Sequence, residues 1–306
     1  MAKKGMVKKV RIVGVPLDLG ADKRGIDMGP DALRNDGLVE QIMELGIKVE
    51  DTGNIHLPPK PLMNHVPKNE RLKNYDEVIT ACRKVRDFVS KSIEDGYFPL
   101  VIGGDHSIAM GTTAALSKHY KKIGVLWIDA HGDFNTEETT ISGNIHGMSF
   151  AASVGKGTKS LVGKMGVKTR VCEDHCVLIG ARDLDLLERE ALKKSKVTVF
   201  TMRDIDEHGM FRTMQEALKI ACEGVDALHV SFDLDSMDPV EAPGVGTPVQ
   251  GGITYREAHL AMELISECDK LRSLEMVELN PILDRHNVTG KLAIGLITSA
   301  LGKKIL

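Results

Sequence analysis

The stretch that decides the fold class is Ile123-Gly124-Val125-Leu126-Trp127-Ile128, followed directly by Asp129-Ala130-His131-Gly132-Asp133. An unbroken apolar run of this length indicates a β-strand that is covered on both faces, which is typical of a parallel sheet. Ionisable residues begin at the point where the run ends. In α/β folds the functional groups gather at the carboxyl ends of parallel strands. The stretch therefore predicts both a sheet and a site at its edge.

Similar apolar runs predict further strands at 10–15, 99–104, 177–180, 197–201, 227–232 and 274–277. Helical patterns lie between them, over 74–95, 184–194, 210–222, 255–268 and 291–301, with another helix beginning near Pro30. This alternation is typical of βαβ units. No linker-like stretch interrupts it, so we expect a single domain over residues 1–306. A closed barrel and an open doubly wound sheet are both compatible with the pattern.

Composition narrows the class of protein. The 306 residues are 42% hydrophobic and 27% charged, as in ordinary globular proteins. The net charge of -3 and the 4% aromatic content indicate no nucleic-acid partner.

No apolar stretch is long enough to span a membrane, and the basic start is not followed by a signal-peptide core. The five cysteines are irregularly spaced, which predicts no disulfide framework and fits a reducing cytoplasm.

Three predicted strands end in acidic residues and histidines. Besides the stretch quoted above, Asp105-His106-Ser107 follows one strand and Asp233-Leu234-Asp235 follows another. In an extended chain, residues two apart point to the same side, so the members of each motif are expected to converge. Buried carboxylates need nearby cations, and no run of lysine or arginine is close in sequence.

Four carboxylates and two imidazoles are the ligand set of a pair of divalent ions. Their hard oxygen atoms favour Mn²⁺ over Zn²⁺. Such a pair lowers the pKa of a bound water, which predicts hydrolysis of a small substrate.

Each motif alone has a simpler structural interpretation. A pair of aspartates at a strand end often caps the next turn, and a lone His106 could be a core histidine. Asp204-Ile205-Asp206 has the same form and is interpreted as a helix N-terminus. Cys172 and Cys176 could be half of a zinc site, but no second pair is near, so we interpret them as a strand entrance. The coincidence of three motifs at strand ends is what favours a metal site.

These motifs resemble the three signatures of the ureohydrolases, the family of arginase, agmatinase and related amidinohydrolases. The signatures are carried by 103–107, 129–133 and 231–235, and the resemblance extends from Gly14 to Lys304. The segment Ser142-Gly143-Asn144-Ile145-His146-Gly147 resembles the amino-acid recognition loop of arginases. Segments 242–248 and 277–281 resemble those of bacterial, Bacillus-like arginases.

The resemblance implies a three-layer α/β/α fold, of the arginase/deacetylase type, with a parallel eight-stranded sheet. It implies two Mn²⁺ ions per subunit and hydrolysis of L-arginine to L-ornithine and urea. It further implies a homo-oligomer, either a trimer or a hexamer.

The resemblance also implies roles for individual residues. The expected metal ligands are His106, Asp129, His131, Asp133, Asp233 and Asp235. Asp133 is expected to transfer a proton, His146 to shuttle protons to solvent, and Glu278 to pair with the guanidinium. The residues expected to bind the rest of the substrate are Asn135, Thr140, Ser142 and Asn144 at the α-carboxylate, Asp185 and Glu188 at the α-ammonium, and Thr247 in the metal pocket. Asp183 is expected to pair with Arg182.

Three alternatives remain. An agmatinase or another guanidino-acid amidinohydrolase would differ in the 142–146 loop, because its substrate lacks the same head group. A non-catalytic, metal-stabilised protein would have lost a ligand. A zinc deacetylase on a related fold would have fewer carboxylates and a catalytic histidine pair. Gly132 and Met148-Ser149 depart from many arginases, and we expect only local packing differences from them.

Overall fold

The computed structural model describes residues 7–58, 71–157, 161 and 163–304. The described residues form one sheet of eight strands in which every adjacent pair is parallel. The strands are β1 (Lys9–Val15), β2 (Lys48–Asn54), β3 (Phe98–Gly103), β4 (Ile123–Ile128), β5 (Val171–Ala181), β6 (Thr198–Thr201), β7 (Ala227–Asp233) and β8 (Leu271–Val277). Their order across the sheet is β2-β1-β3-β8-β7-β4-β5-β6.

Helices cover both faces of the sheet. They are α1 (Gly29–Asn35), α2 (Leu38–Met43), α3 (Tyr75–Glu94), α4 (Ala109–His119), α5 (Ser149–Ser153), α6 (Leu186–Lys194), α7 (Met202–His208), α8 (Met210–Cys222), α9 (Tyr255–Ser266) and α10 (Val288–Ala300). The apolar sides of α1, α2 and α7 to α10 share one core with alternate strand residues. Helices α3 to α6 pack on the opposite face. The fold is therefore a three-layer α/β/α sandwich built on an open sheet, as expected, and not a closed barrel.

The predicted strands and helices are present, with shifts at their ends. The largest shift is in β5, which begins at Val171 and not at Val177. Cys172 and Cys176 thus lie within a strand, and neither belongs to a group of metal-binding geometry among the described residues. Thr201 and Asp204 form a capping box at the start of α7, which confirms that the Asp204-Ile205-Asp206 motif marks a helix N-terminus.

Besides the short helices α2 and α5, two longer elements were not predicted, for opposite reasons. Strand β2 lies at the sheet edge and is exposed or half-buried throughout, so it lacks an apolar run. Helix α4 is buried on most of its surface and therefore lacks a polar face that would reveal a helical period.

Within the described ranges, we find no helix that combines the length and apolar character needed to cross a bilayer.

Candidate active site

Five neighbouring strands direct chemistry-bearing residues to one edge of the sheet. Taken across the sheet, β3 is followed by His106, β8 by Glu278, β7 ends in Asp233, β4 is followed by Asp129, and β5 is followed by the 182–185 segment. All are at carboxyl ends, because the strands are parallel. The sequence-based prediction of one shared edge is confirmed.

The local geometry within the motifs differs from the expectation of an extended chain. Asp129 Oδ1 accepts a hydrogen bond from the His131 amide at 2.7 Å, and Asp233 Oδ1 accepts one from the Asp235 amide at 2.8 Å. These are turns in which an aspartate binds the backbone two residues on. Asp133 has a φ of 48°, in the left-handed region. The motif members converge because of these turns, so the assumption of two-residue strand alternation was wrong even though its outcome was right.

The six predicted metal ligands lie together. His106 Nδ1 is 3.2 Å from Asp129 Oδ2, 3.1 Å from Asp133 Oδ2 and 3.0 Å from Asp233 Oδ2. His131 Nδ1 is 3.1 Å from Asp235 Oδ2 and 3.5 Å from Asp129 Oδ1. Two groups of metal-binding geometry result, and Asp129 belongs to both.

Without cations this cluster is electrostatically strained. Burial raises the pKa of Asp133, and the charge of Asp129 raises it further. Burial likewise raises the pKa of Asp233, together with the charges of Asp235 and Asp129. Burial alone would lower the pKa of His106, but its contacts with three aspartates raise it well above the usual value. The raised pKa values have one cause in common, which is the excess of buried negative charge in the cluster.

Divalent ions fit the same positions. An octahedral ion that binds its ligands at about 2.1 Å holds adjacent ligand atoms about 3.0 Å apart. The imidazole and carboxylate atoms of the cluster are spaced at 3.0–3.5 Å. Both histidines direct Nδ1 at the carboxylates, and the donor set is hard oxygen and nitrogen without thiolate. The residues present are therefore able to hold two such ions.

Trp127 supports the cluster and was missed as a functional residue. Its ring stacks on His106 with centroids 4.1 Å apart, and its Nε1 donates to Asp129 Oδ2 at 2.9 Å. The signal available in the sequence was the single tryptophan of the chain, placed just before the Asp-x-His-x-Asp motif.

The buried Glu278 and the half-buried His146 form a pair beside the cluster. Glu278 Oε1 accepts from the His106 amide at 2.9 Å and lies 3.1 Å from His146 Nδ1. Burial would lower the pKa of His146, but the hydrogen bond and charge of Glu278 raise it to about 9. Glu278 also has a left-handed backbone, with φ 67°. A residue held in this strained conformation is typical of a functional site.

A cavity of about 160 Å³ opens above the cluster. Its walls include the residues that were expected to bind the rest of the substrate: Asn135, Thr140, Ser142, Asn144, Asp185, Glu188 and Thr247. Asp183 lines it as well. The recognition segment 135–147 thus faces the N-terminus of α6 across the mouth of the cavity. Glu278, which was expected to pair with the guanidinium, is not among the residues that line the cavity.

The cavity walls are already ordered by hydrogen bonds. Asn135 Nδ2 donates to Asp185 Oδ2 at 3.0 Å, and Thr247 Oγ1 donates to Asp235 Oδ2 at 2.8 Å. Asp185 and Glu188 form the capping box of α6, and Glu188 also accepts from the Phe134 amide. Burial raises the pKa of Glu188 to about 7. A bound ammonium group would place a positive charge beside the Glu188 carboxylate and so offset the effect of burial.

Two expectations about the neighbourhood are resolved. Arg182 donates to the carbonyls of Gly180, Asp235, Ser236, Met237 and Val249, and not to Asp183, so that predicted ion pair was wrong. By binding these backbone carbonyls, the Arg182 guanidinium stabilises the loop after β7. At Gly132, an added Cβ would lie 2.6 Å from the Glu188 side chain, which shows why this chain has no larger residue there.

A larger cavity, of about 620 Å³, lies beside β6 and is lined by apolar residues such as Leu192 and Val199 together with lysine and arginine side chains. It contains neither the cluster nor the converging polar groups of the smaller cavity. Since binding sites are marked by convergent polar groups and perturbed pKa values, the smaller cavity is the candidate active site.

An α/β/α sandwich whose central strands end in such a cluster defines a class: hydrolases with a site for divalent metal ions. Comparisons with known proteins identify the family. The model of the Arginase family matches residues 8–302. The arginase of Brevibacillus brevis is 50% identical over 301 residues, which is 98% of this chain and 100% of that protein.

The arginase of Bacillus subtilis (strain 168) is 49% identical over 303 residues, again 98% of this chain and 100% of the relative. The solved structure of Bacillus caldovelox arginase matches with a TM-score of 0.94 at 46% identity, covering 98% of this chain and 100% of that one. The chain belongs to the arginase family and is a hydrolase acting on a guanidino carbon–nitrogen bond. These relatives support an arginase over an agmatinase.

Proposed function

We propose that this protein hydrolyses L-arginine to L-ornithine and urea. The observation that carries the proposal is the buried cluster of six imidazole and carboxylate ligands at 3.0–3.5 Å spacing beneath a polar cavity. The relatives' names supply the substrate class, and the cavity supplies groups for both ends of arginine.

Two Mn²⁺ ions are proposed for the cluster. His106, Asp129, Asp133 and Asp233 surround one position, and Asp129, His131 and Asp235 surround the other. When bound, a pair of such ions lowers the pKa of a water and stabilises charge that develops during hydrolysis.

The protein's own groups bind the guanidinium and move protons. Glu278 is buried behind His146, which lines the cavity, and its carboxylate is proposed to pair with the guanidinium. Asp133 Oδ2 is held by the Ser149 hydroxyl at 3.2 Å and borders the cavity. It is proposed to take the proton of the attacking water and to give it to the departing amine. His146 is half-buried and is proposed to exchange protons with solvent.

The mouth of the cavity is proposed to bind the amino-acid head of the substrate. The hydroxyls of Thr140 and Ser142 accept from backbone amides, which leaves their protons free to donate to a carboxylate. Lys73 donates to Asn144 Oδ1 at 3.0 Å, and the Asn144 side chain is also hydrogen-bonded to Asp22, so it is held in place at the mouth of the cavity. Asp185 and Glu188 supply negative charge for the α-ammonium group.

The test is urea release after loading with Mn²⁺, with L-arginine, agmatine and 4-guanidinobutyrate assayed side by side. We expect turnover of L-arginine and much slower turnover of the other two, because each lacks part of the head group. Urea from agmatine without urea from L-arginine would contradict the proposal and favour the alternative amidinohydrolase.

Chelation followed by reconstitution tests the metal. Activity is expected to vanish after removal of divalent ions and to return with Mn²⁺, and Co²⁺ and Ni²⁺ provide the comparison. Equal activity in the chelated protein would exclude a metal role.

Three broader features belong to the proposal. A single ureohydrolase domain is supported by the continuous eight-stranded sheet. A cytoplasmic location is supported by the free thiols of all five cysteines. Assembly into a trimer or hexamer follows the family resemblance, and light scattering coupled to gel filtration tests it.

A further inference from the structure

Strands β7 and β8 carry a buried polar ladder below the metal cluster. His229 pairs in register with Ser273, and Ser231 pairs with Glu275, and all four side chains have zero exposure. The alternating residues Leu228, Val230 and Phe232 face the apolar core on the other side of the sheet. Buried polar groups at the centre of a sheet are costly, so their placement calls for a reason beyond packing.

The ladder reaches a predicted metal ligand through hydrogen bonds. Glu275 Oε1 accepts from Ser231 Oγ at 2.7 Å and from His229 Nε2 at 3.1 Å. Ser231 Oγ lies 2.7 Å from His106 Nε2. The ladder thus connects Glu275 to Nε2 of His106, while Nδ1 of the same ring faces the carboxylates of the cluster.

Counting protons fixes the direction of these bonds. Glu275 Oε1 accepts from Ser231 Oγ and from His229 Nε2. Burial alone would raise the pKa of Glu275, but the charge and hydrogen bond of His229 lower it, which agrees with this acceptor role. The single hydroxyl proton of Ser231 is then committed to Glu275. His106 must therefore donate from Nε2 to Ser231, so Nδ1 is the ring nitrogen that can give up its proton and bind an ion in the cluster.

We propose that Glu275 is a positioning residue that acts through Ser231 to hold His106 in the tautomer that binds metal through Nδ1. The inference rests on the proposed metal site. Outer partners of metal-binding histidines fix ring orientation and strengthen the ligand, and their loss weakens metal binding about 10–100-fold.

The second oxygen of Glu275 indicates that the carboxylate is not kept for stability alone. Oε2 is buried and has no hydrogen-bond partner among the residues that the structure describes. An unpaired buried oxygen lowers the free energy of unfolding, whereas an apolar residue of similar size would not.

The His131 side of the cluster provides an internal comparison. Its side chain is 26% exposed, and the contacts seen for its ring in the described part of the chain are those of Nδ1 with Asp129 and Asp235. Loss of the ladder should therefore weaken the ion bound by His106 and leave the ion bound by His131 nearly unchanged.

The experiment measures Mn²⁺ per chain by elemental analysis over graded free Mn²⁺, with electron paramagnetic resonance to distinguish a coupled pair from an isolated ion. The variants are Glu275→Leu, Glu275→Gln and Ser231→Ala. Ser92→Ala is the matched control, because Ser92 is also fully buried and donates to a backbone carbonyl within α3.

We expect Glu275→Leu and Ser231→Ala to bind one ion as the parent does and the second 10–100-fold more weakly, with the coupled signal replaced by that of an isolated ion. Glu275→Gln should stay closer to the parent, since its amide oxygen still accepts from Ser231. At saturating Mn²⁺ the KM for L-arginine should match that of the parent.

Two parent-like sites in Ser231→Ala and Glu275→Leu would overturn the inference, and so would equal weakening of both ions. If Glu275→Leu does not fold, Ser231→Ala alone decides, because it removes only one oxygen atom. A parent protein that binds no Mn²⁺ would instead refute the proposed function, so the two failures are distinguishable.

Discussion

The floor and the rim of the candidate active site are built differently. The floor consists of His106, Asp129, Asp133, Asp233, Asp235 and Glu278, each at most 5% exposed. The rim consists of Thr140, Ser142, Asn144, Asp183 and Asp185, which lie on loops and at a helix N-terminus. Floor residues follow buried parallel strands, so their positions are set by the sheet. Rim residues depend on side-chain contacts between segments that are distant in sequence.

This difference separates catalysis from recognition. Groups held by the sheet cannot move without disturbing the core, which suits the precise placement of reacting atoms. Groups on the rim are individually replaceable. Changes in the floor are therefore expected to lower kcat, and changes in the rim to raise KM.

The largest effect is expected for Asp133→Asn. Asparagine tolerates the left-handed backbone found at this position, so the fold should be retained. Loss of the proton carrier and of one ligand charge should lower kcat by about 10³-fold or more. Urea release measures the rate, and circular dichroism checks the fold.

Asp206→Asn is the control, because Asp206 is an exposed aspartate on α7 outside the cavity. It should retain parental activity. An Asp133→Asn enzyme as active as the parent would refute the role of Asp133.

The floor was largely predictable from sequence, and the rim was not. Each floor residue adjoins an apolar run that marks a strand, and parallel strands bring such residues to one edge. The strand β4 was predicted at its observed limits. By contrast, nothing in the composition or spacing of residues 135–147 indicates which atoms face α6. Only the family resemblance assigned both segments to the amino-acid head of the substrate.

Some of the floor was also beyond sequence reasoning. The turns at Asp129 and Asp233 depend on side-chain to backbone hydrogen bonds and not on periodicity. The roles of His229, Ser231 and Glu275 were not predicted. These residues lie within predicted strands, where they alternate with large apolar residues and look like ordinary strand positions. Their partners are set by strand register, which a single sequence does not specify.

His146 lies between floor and rim, and its effect should appear in the metal-free protein as a pH-dependent stability. Its pKa is raised to about 9 from an ordinary 6.5. A histidine with a raised folded-state pKa stabilises the fold fully below pH 6.5, and that stabilisation is lost as the pH rises through 9. His146→Asn should therefore be less stable than the parent at pH 6, by about 2 kcal/mol, and the gap should close by pH 9.5.

Urea denaturation in the presence of a chelator, at pH 6 and at pH 9.5, measures this gap. Other titrating groups are common to both proteins, so the difference isolates His146. A gap that is constant with pH would show that the Glu278 contact does not shift the pKa of His146.

On the rim, Asp185→Asn should raise the KM for L-arginine about tenfold while kcat changes little. Asparagine serves as well as aspartate at a helix N-cap, so α6 should be retained and only the charge near the α-ammonium is lost. The charge-assisted hydrogen bond between Asp185 and the α-ammonium group is worth about 1.5–3 kcal/mol, and the variant keeps an oxygen acceptor but loses the contribution of the charge. Glu190→Gln, on the exposed side of the same helix, is the control, and an unchanged KM for Asp185→Asn would place the ammonium group elsewhere.

The smallest effect is expected for Ser142→Ala, and it is the sharpest test of what the rim recognises. Ser142 is exposed and its hydroxyl accepts from the Asn144 amide at 3.2 Å, so its removal should leave the fold unaffected. Loss of one neutral donor to a carboxylate should cost about 1 kcal/mol, which raises the KM for L-arginine roughly fivefold. Agmatine has no carboxylate, so its slow turnover should be the same in parent and variant. If KM rises equally for both substrates, the loop shapes the cavity without reading the carboxylate, and the division between a catalytic floor and a recognising rim fails at this residue.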